Sequence, residues 1–97
     1  MPKGYWIVAH RRPPDEEKGA AYREIAIPLL EAAGARVLVM GGDAIAKEYG
    51  VAERVIVIEF PSREAALAVY ESEAYQRALE VFGDGIERDF RIVEGLD

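Results

Sequence analysis

Residues 5–9, 37–40 and 55–58 form three runs that are apolar almost without interruption. A strand with one wet face alternates apolar and polar residues at period two, so unbroken runs predict strands covered on both faces. The helical pattern in the rest of the chain is enough for one covering layer. The other face needs a second sheet, and in a chain of 97 residues that sheet is expected from another copy of the same chain. A homodimer is therefore the first expectation.

Composition narrows the functional classes. Apolar residues make up 51% and charged residues 31%, which suits one globular domain spanning 1–97 and not a disordered acidic tail. The net charge of -6 repels a nucleic-acid backbone or an anionic membrane, so neither is expected as a partner. There is no cysteine, which removes disulfides and thiol nucleophiles and fits a reducing cytoplasm. No apolar stretch reaches the ~18 residues of a membrane span, and the first residues lack the apolar run of a signal peptide. A cytoplasmic protein is expected.

Local signals divide the chain into strand, helix, strand, strand, helical region and strand. Residues 4–10 read as a strand closed by Pro13 and Pro14. Asp15 is placed to cap a helix whose first turn holds Glu16 and Glu17, and Gly34 is a natural left-handed stop. Tyr22, Ile25, Ala26, Leu29, Leu30 and Ala33 recur along it at helical spacing. Residues 36–41 and 54–60 are the next strands, with a helical turn expected at 44–49 between them. Ser62 and Ser72 are both placed as caps, predicting two helical pieces with a hinge near Ser72, ended by Gly83 and Gly85. Residues 89–94 form the last strand.

This order is the α+β, ferredoxin-like βαββαβ pattern: a four-stranded antiparallel sheet with its helices on one face. The opposite face, four strands of about six residues, spans nearly ~400 Å², comparable to the largest apolar patch a monomer tolerates. Covering it contributes on the order of 10 kcal/mol per chain before the costs of association.

Several segments also resemble a known family. Gly4-Tyr5-Trp6-Ile7, the run from Arg54 through Glu59-Phe60-Pro61-Ser62, the pair Ser72 and Tyr75, and the closing Ile92-Val93-Glu94-Gly95 are similar to the domain-of-unknown-function family 1330. The resemblance covers nearly the whole chain and implies the dimeric α/β barrel, two ferredoxin-like sheets packed face to face. It implies no particular activity, since that superfamily includes cofactor-free monooxygenases, muconolactone-type isomerases, haem enzymes and stress-responsive proteins. The chain departs from the family at Glu73-Ala74, where Pro-Glu is usual, and at Glu48-Tyr49-Gly50, where Glu-Gly is usual.

With the first and third strands taken as parallel neighbours, His10, Arg12, Glu59 and Ser62 are expected on one rim. His10 is the one histidine and the side chain whose ordinary pKa lies nearest neutrality, which makes it the candidate catalytic acid or base. Glu59 is a candidate to orient it, or else a structural partner of Arg54, Arg36 or a backbone amide. Tyr22, Tyr70 and Tyr75 are candidate ligand-binding residues or ordinary core. Arg12, Arg54 and Arg88 carry forked donors suited to a small carboxylate, or else pair with surface acids. One histidine and no cysteine leave no metal cluster, and no cofactor fingerprint is present. Two functions fit. One is a cofactor-independent enzyme in which His10 moves a proton on a small organic molecule held between sheet and helices. The other is a noncatalytic dimer that binds a metabolite or a protein.

Overall fold

The computed structural model describes residues 2–96. It contains β1 (Gly4–His10), α1 (Glu16–Ala32), β2 (Arg36–Gly41), β3 (Arg54–Phe60), α2 (Arg63–Glu71), α3 (Glu73–Phe82) and β4 (Arg88–Glu94). The sheet has the order β2-β3-β1-β4 with every neighbouring pair antiparallel, the ferredoxin-like arrangement expected from the element order. None of the described helices is long and apolar enough to cross a membrane.

The helix ends are set by the residues that the local signals single out. Asp15 Oδ1 accepts the Lys18 amide at 2.9 Å and opens α1, which runs on through Pro28. Gly34, at φ +71°, takes the left-handed turn that follows it. Ser62 Oγ accepts the Ala65 amide at 3.0 Å to open α2. Ser72 serves two helices: its hydroxyl donates to the Val69 carbonyl at 2.8 Å and accepts the Tyr75 amide at 3.2 Å. The helical turn expected at 44–49 is absent. That segment is irregular, with a turn from Lys47 to Gly50 and Glu48 in the left-handed region at φ 53°.

The core lies between the helices and the helix-side face of β1 and β3. Gly4, Trp6 and Val8 alternate inward along β1, and Ile58 and Phe60 do so on β3. Trp6 is the hub: its ring meets Phe60, Phe90 and Tyr75 at centroid separations of 4.9, 5.0 and 5.2 Å. Its indole Nε1 donates to the Ala66 carbonyl at 3.0 Å, so the polar end of a buried aromatic is satisfied. Gly4 makes this packing possible. A Cβ there would lie 2.5 Å from the Arg63 backbone nitrogen, so only glycine lets α2 begin directly over β1.

Two further expectations are corrected. The strands β1 and β3 are adjacent but antiparallel, because β3 reverses after β2 and slots in beside β1. The end of β1 therefore lies beside the start of β3, with His10 opposite Arg54, while Glu59 lies opposite Tyr5 at the other end. Five residues of strand put roughly 17 Å between those two positions. The second correction concerns β2. Its helix-side residues Val37 and Met40 are 46% and 61% exposed, because α1 packs chiefly on α3 and stands away from the sheet there. A cleft remains between them. On the opposite face no element of the chain covers Tyr5, Ile7, Ala9, Val55, Val57 and Val39, as the apolar runs predict.

Candidate functional site

The antiparallel register brings three basic side chains into one row. His10, at the end of β1, pairs with Arg54 at the start of β3 and with Arg88 at the start of β4. Strand alternation puts the His10 side chain on the same face as Val8 and Trp6, the face toward the helices. None of the described carboxylates forms an ion pair with Arg54 or Arg88; Glu53, an acid whose charge acts on His10, is taken by Arg11 at 2.5 Å.

Aromatic rings hold Arg88 in place. Its guanidinium carbon lies 5.1 Å from the Phe90 ring centroid, 5.4 Å from Tyr22 and 5.7 Å from Phe82, within cation–π range of all three. Its two terminal nitrogens reach the Tyr75 and Tyr22 hydroxyls at the long distances of 3.4 and 3.5 Å. Those hydroxyls are themselves paired at 2.6 Å. Burial, then the adjacent Tyr22, pushes the Tyr75 phenol far above its ordinary value, so it stays protonated.

His10 is the group with an unmet requirement. Its Nδ1 is buried and has no hydrogen-bond partner among the described residues. Desolvation, then the charges of Arg88 and Arg54, lowers its pKa against a smaller opposing effect of Glu53. It is therefore a neutral imidazole at pH 7, a state in which one ring nitrogen can accept a proton.

The row closes one end of a cavity of about 530 Å³ between α1 and the sheet. Val8, Ile56 and Ile58 form its floor and Ala26 and Leu30 its roof, while His10, Tyr22, Arg54 and Arg88 supply polar atoms at one end. A volume in this range, with apolar walls and a few convergent polar groups, suits a small organic molecule. A lesser cleft of about 340 Å³ adjoins it on the other side of His10, lined also by Arg11, Arg12 and Glu53.

The expected site residues are thus divided. His10 and Tyr22 line the main cavity, and Tyr75 lies fully buried behind Tyr22 as its hydroxyl partner. Tyr70 is part of the core instead, its ring against Phe90 and Trp6. Arg12 lines only the lesser cleft and donates to the Asp84 carbonyl at 2.5 Å. Glu59 sits at the far end of the sheet, 4.0 Å from Arg36 and 3.5 Å from the Tyr5 hydroxyl. The expected grouping of His10 with Arg12, Glu59 and Ser62 is therefore not formed: Glu59 and the α2 cap Ser62 belong to the opposite rim. Arg54 and Arg88, which the sequence offers only as possible clamps, are the residues that meet His10. Among the described residues no three of His, Asp and Glu converge as metal ligands.

Comparison with known proteins places the chain in a family without fixing its chemistry. A protein of unknown function from Rhodopseudomonas palustris is similar to it at 19% identity and TM-score 0.75, over 99% of this chain and 84% of that one. A Caulobacter crescentus protein provisionally described as an antibiotic biosynthesis monooxygenase is similar at 12% identity and TM-score 0.58, over 100% and 92%. A dimeric ferredoxin-like protein of unknown function from Bacteroides fragilis is similar at 15% identity and TM-score 0.55, over 95% of each chain. At these identities the likeness is one of fold. No curated protein matches the sequence. The family described as "Domain of unknown function (DUF1330)" matches residues 3–96, and the chain belongs to it.

Proposed function

We propose that the chain works as a homodimer in which each subunit binds a small organic molecule in the cavity between α1 and the sheet. The observation that carries this reading is the cavity itself, about 530 Å³ with mainly apolar walls and with His10, Tyr22, Arg54 and Arg88 together at one end. The dimer rests on the uncovered sheet face, whose apolar residues Ile7, Val39 and Val57 lie side by side on three strands. The dimeric Bacteroides fragilis relative of the same fold lends it support.

His10 gives the cavity a route to chemistry. A neutral imidazole beside two arginines can take a proton from a bound molecule while the guanidinium charges stabilise the anion that results. Such proton transfer needs no cofactor of its own. The noncatalytic reading also has an observation in its favour: none of the described carboxylates orients His10, whose Nδ1 is unpartnered among the described residues, so no acid–base dyad is assembled from them. Native mass spectrometry of freshly purified protein tests the binding and the dimer together. The expected result is a mass of two subunits with a small molecule carried through; a bare monomer at micromolar concentration refutes both. A His10→Ala variant that dimerises and keeps full turnover of an identified substrate would remove the catalytic step and leave binding alone.

A further inference from the structure

We infer that the molecule this cavity takes is an amphipathic organic monocarboxylate, its carboxylate on the Arg54–His10–Arg88 row and its hydrocarbon body between α1 and the sheet. The inference rests on the cavity being a ligand site and specifies which ligands it selects. Arg54 and Arg88 flank the neutral His10 on adjacent strands, which sets two like charges in one row and makes protonation of His10 between them unfavourable. The chain carries 18 aspartates and glutamates against 12 lysines and arginines, yet none of the described acids pairs with either arginine of the row. Glu53 is engaged by Arg11. Glu31, the acid that lines the cavity, lies nine residues beyond Tyr22 on α1, about 13 Å along the helix. A bound anion would relieve this imbalance.

The donors at that end are arranged for an oxygen ligand. A guanidinium offers five N–H donors, and Arg88 makes only two long bonds to phenol oxygens while three rings fix its plane. The hydroxyl pair has one direction that wastes nothing. Tyr75 is 0% exposed, so its O–H must donate to Tyr22 or stay unsatisfied in the core. Tyr22 then accepts, and its own hydrogen is free to point into the cavity that it lines. An anionic head therefore meets Tyr22 O–H, the Arg88 and Arg54 guanidinium groups and the His10 ring, while the walls beyond are mainly hydrocarbon, with Arg23 and Glu31 the charged side chains among them. A neutral amide of the same shape finds the same walls but gains less from the charges.

The test compares 4-phenylbutanoate, its primary amide and 4-phenylbutylamine by calorimetric titration of the intact protein, with Nile red as a neutral reporter of the cavity. The acid is expected to bind at least about tenfold more tightly than the amide, and the amine more weakly still. Arg54→Met, at an exposed position, and Arg88→Met should each weaken the acid more than the amide and reduce the acid–amide difference to within about threefold. Arg54→Met decides the matter if loss of Arg88 from its three rings unfolds the chain. Equal binding of acid and amide, or Nile red uptake with no binding of the acid, overturns the carboxylate assignment and leaves the cavity standing. A preference for acid that survives in the folded arginine variants also overturns it. Failure of all three ligands and of Nile red refutes the cavity as a binding site, and this inference with it.

Discussion

Val57 offers a direct test of the bare sheet face. It lies on a central strand, directly across from Ile7 on one side and Val39 on the other, and no element of its own chain covers it. In a monomer, a lysine at this position reaches water and costs little. Between two stacked sheets it places an unpaired ammonium in a dry layer, and twofold symmetry places two. Breaking the neutrality of such a layer costs about 3–5 kcal/mol per charge. The lower end applies here, since only β2 separates Val57 from the sheet edge and a lysine stem can partly snorkel. Two such charges per dimer amount to about 6 kcal/mol, or roughly four decades in dissociation constant. Sedimentation equilibrium of wild type and Val57→Lys over nanomolar to millimolar concentration measures this directly, with far-ultraviolet circular dichroism to show that the variant is folded. A dissociation constant changed less than tenfold would mean that the face is not an interface.

Three further outcomes are expected. The lowered pKa of His10 means that the unfolded chain takes up a proton first as pH falls through about 6.5, so the stability contributed by the neutral imidazole is present above that value and lost below it. Urea midpoints between pH 7 and pH 5 should accordingly fall more steeply for wild type than for His10→Gln, and superimposable profiles would contradict the burial of His10. Removing the hydroxyl in Tyr75→Phe deprives Tyr22 and Arg88 of a partner and should cost about 1–2 kcal/mol in urea unfolding, a loss that a merely apolar role for Tyr75 would not produce. Gly4→Ala drives a methyl into the backbone of Arg63 and should cost about 3 kcal/mol, read as a lower melting temperature; an unchanged melting point would show that α2 does not begin against β1.

What could be read from the sequence was mostly local. Asp15, Ser62, Ser72 and Gly34 act at the positions their chemistry suggests, because a cap or a left-handed turn is decided within a few residues. Strand direction is decided by distant partners, and taking β1 and β3 as parallel put Glu59 beside His10. With the antiparallel register, the end of β1 meets the first residues of β3 and β4, which are Arg54 and Arg88, so the basic row was within reach of the sequence once the topology was right. The apolar run of β2 predicts cover but cannot show what supplies it, and α1 leaves Val37 and Met40 open because it leans on α3. Helical periodicity likewise marks Tyr22, Tyr70 and Tyr75 as inward without distinguishing cavity wall from core. The distinction depends on the gap left between α1 and the sheet, which Tyr22 lines and Tyr70 and Tyr75 do not.

One small hydroxyl has reach beyond its own neighbourhood. Ser72 fastens the Val69 carbonyl near the end of one helix and the Tyr75 amide in the first turn of the next, so the corner between α2 and α3 behaves as a single joint. Tyr75 is anchored by that same joint through its amide and carries the phenol on which Tyr22 and Arg88 depend. The angle at which the molecule turns this corner therefore sets the aim of the donors some distance away. Loosening the joint would blur the basic end of the cavity while leaving every residue that lines it in place.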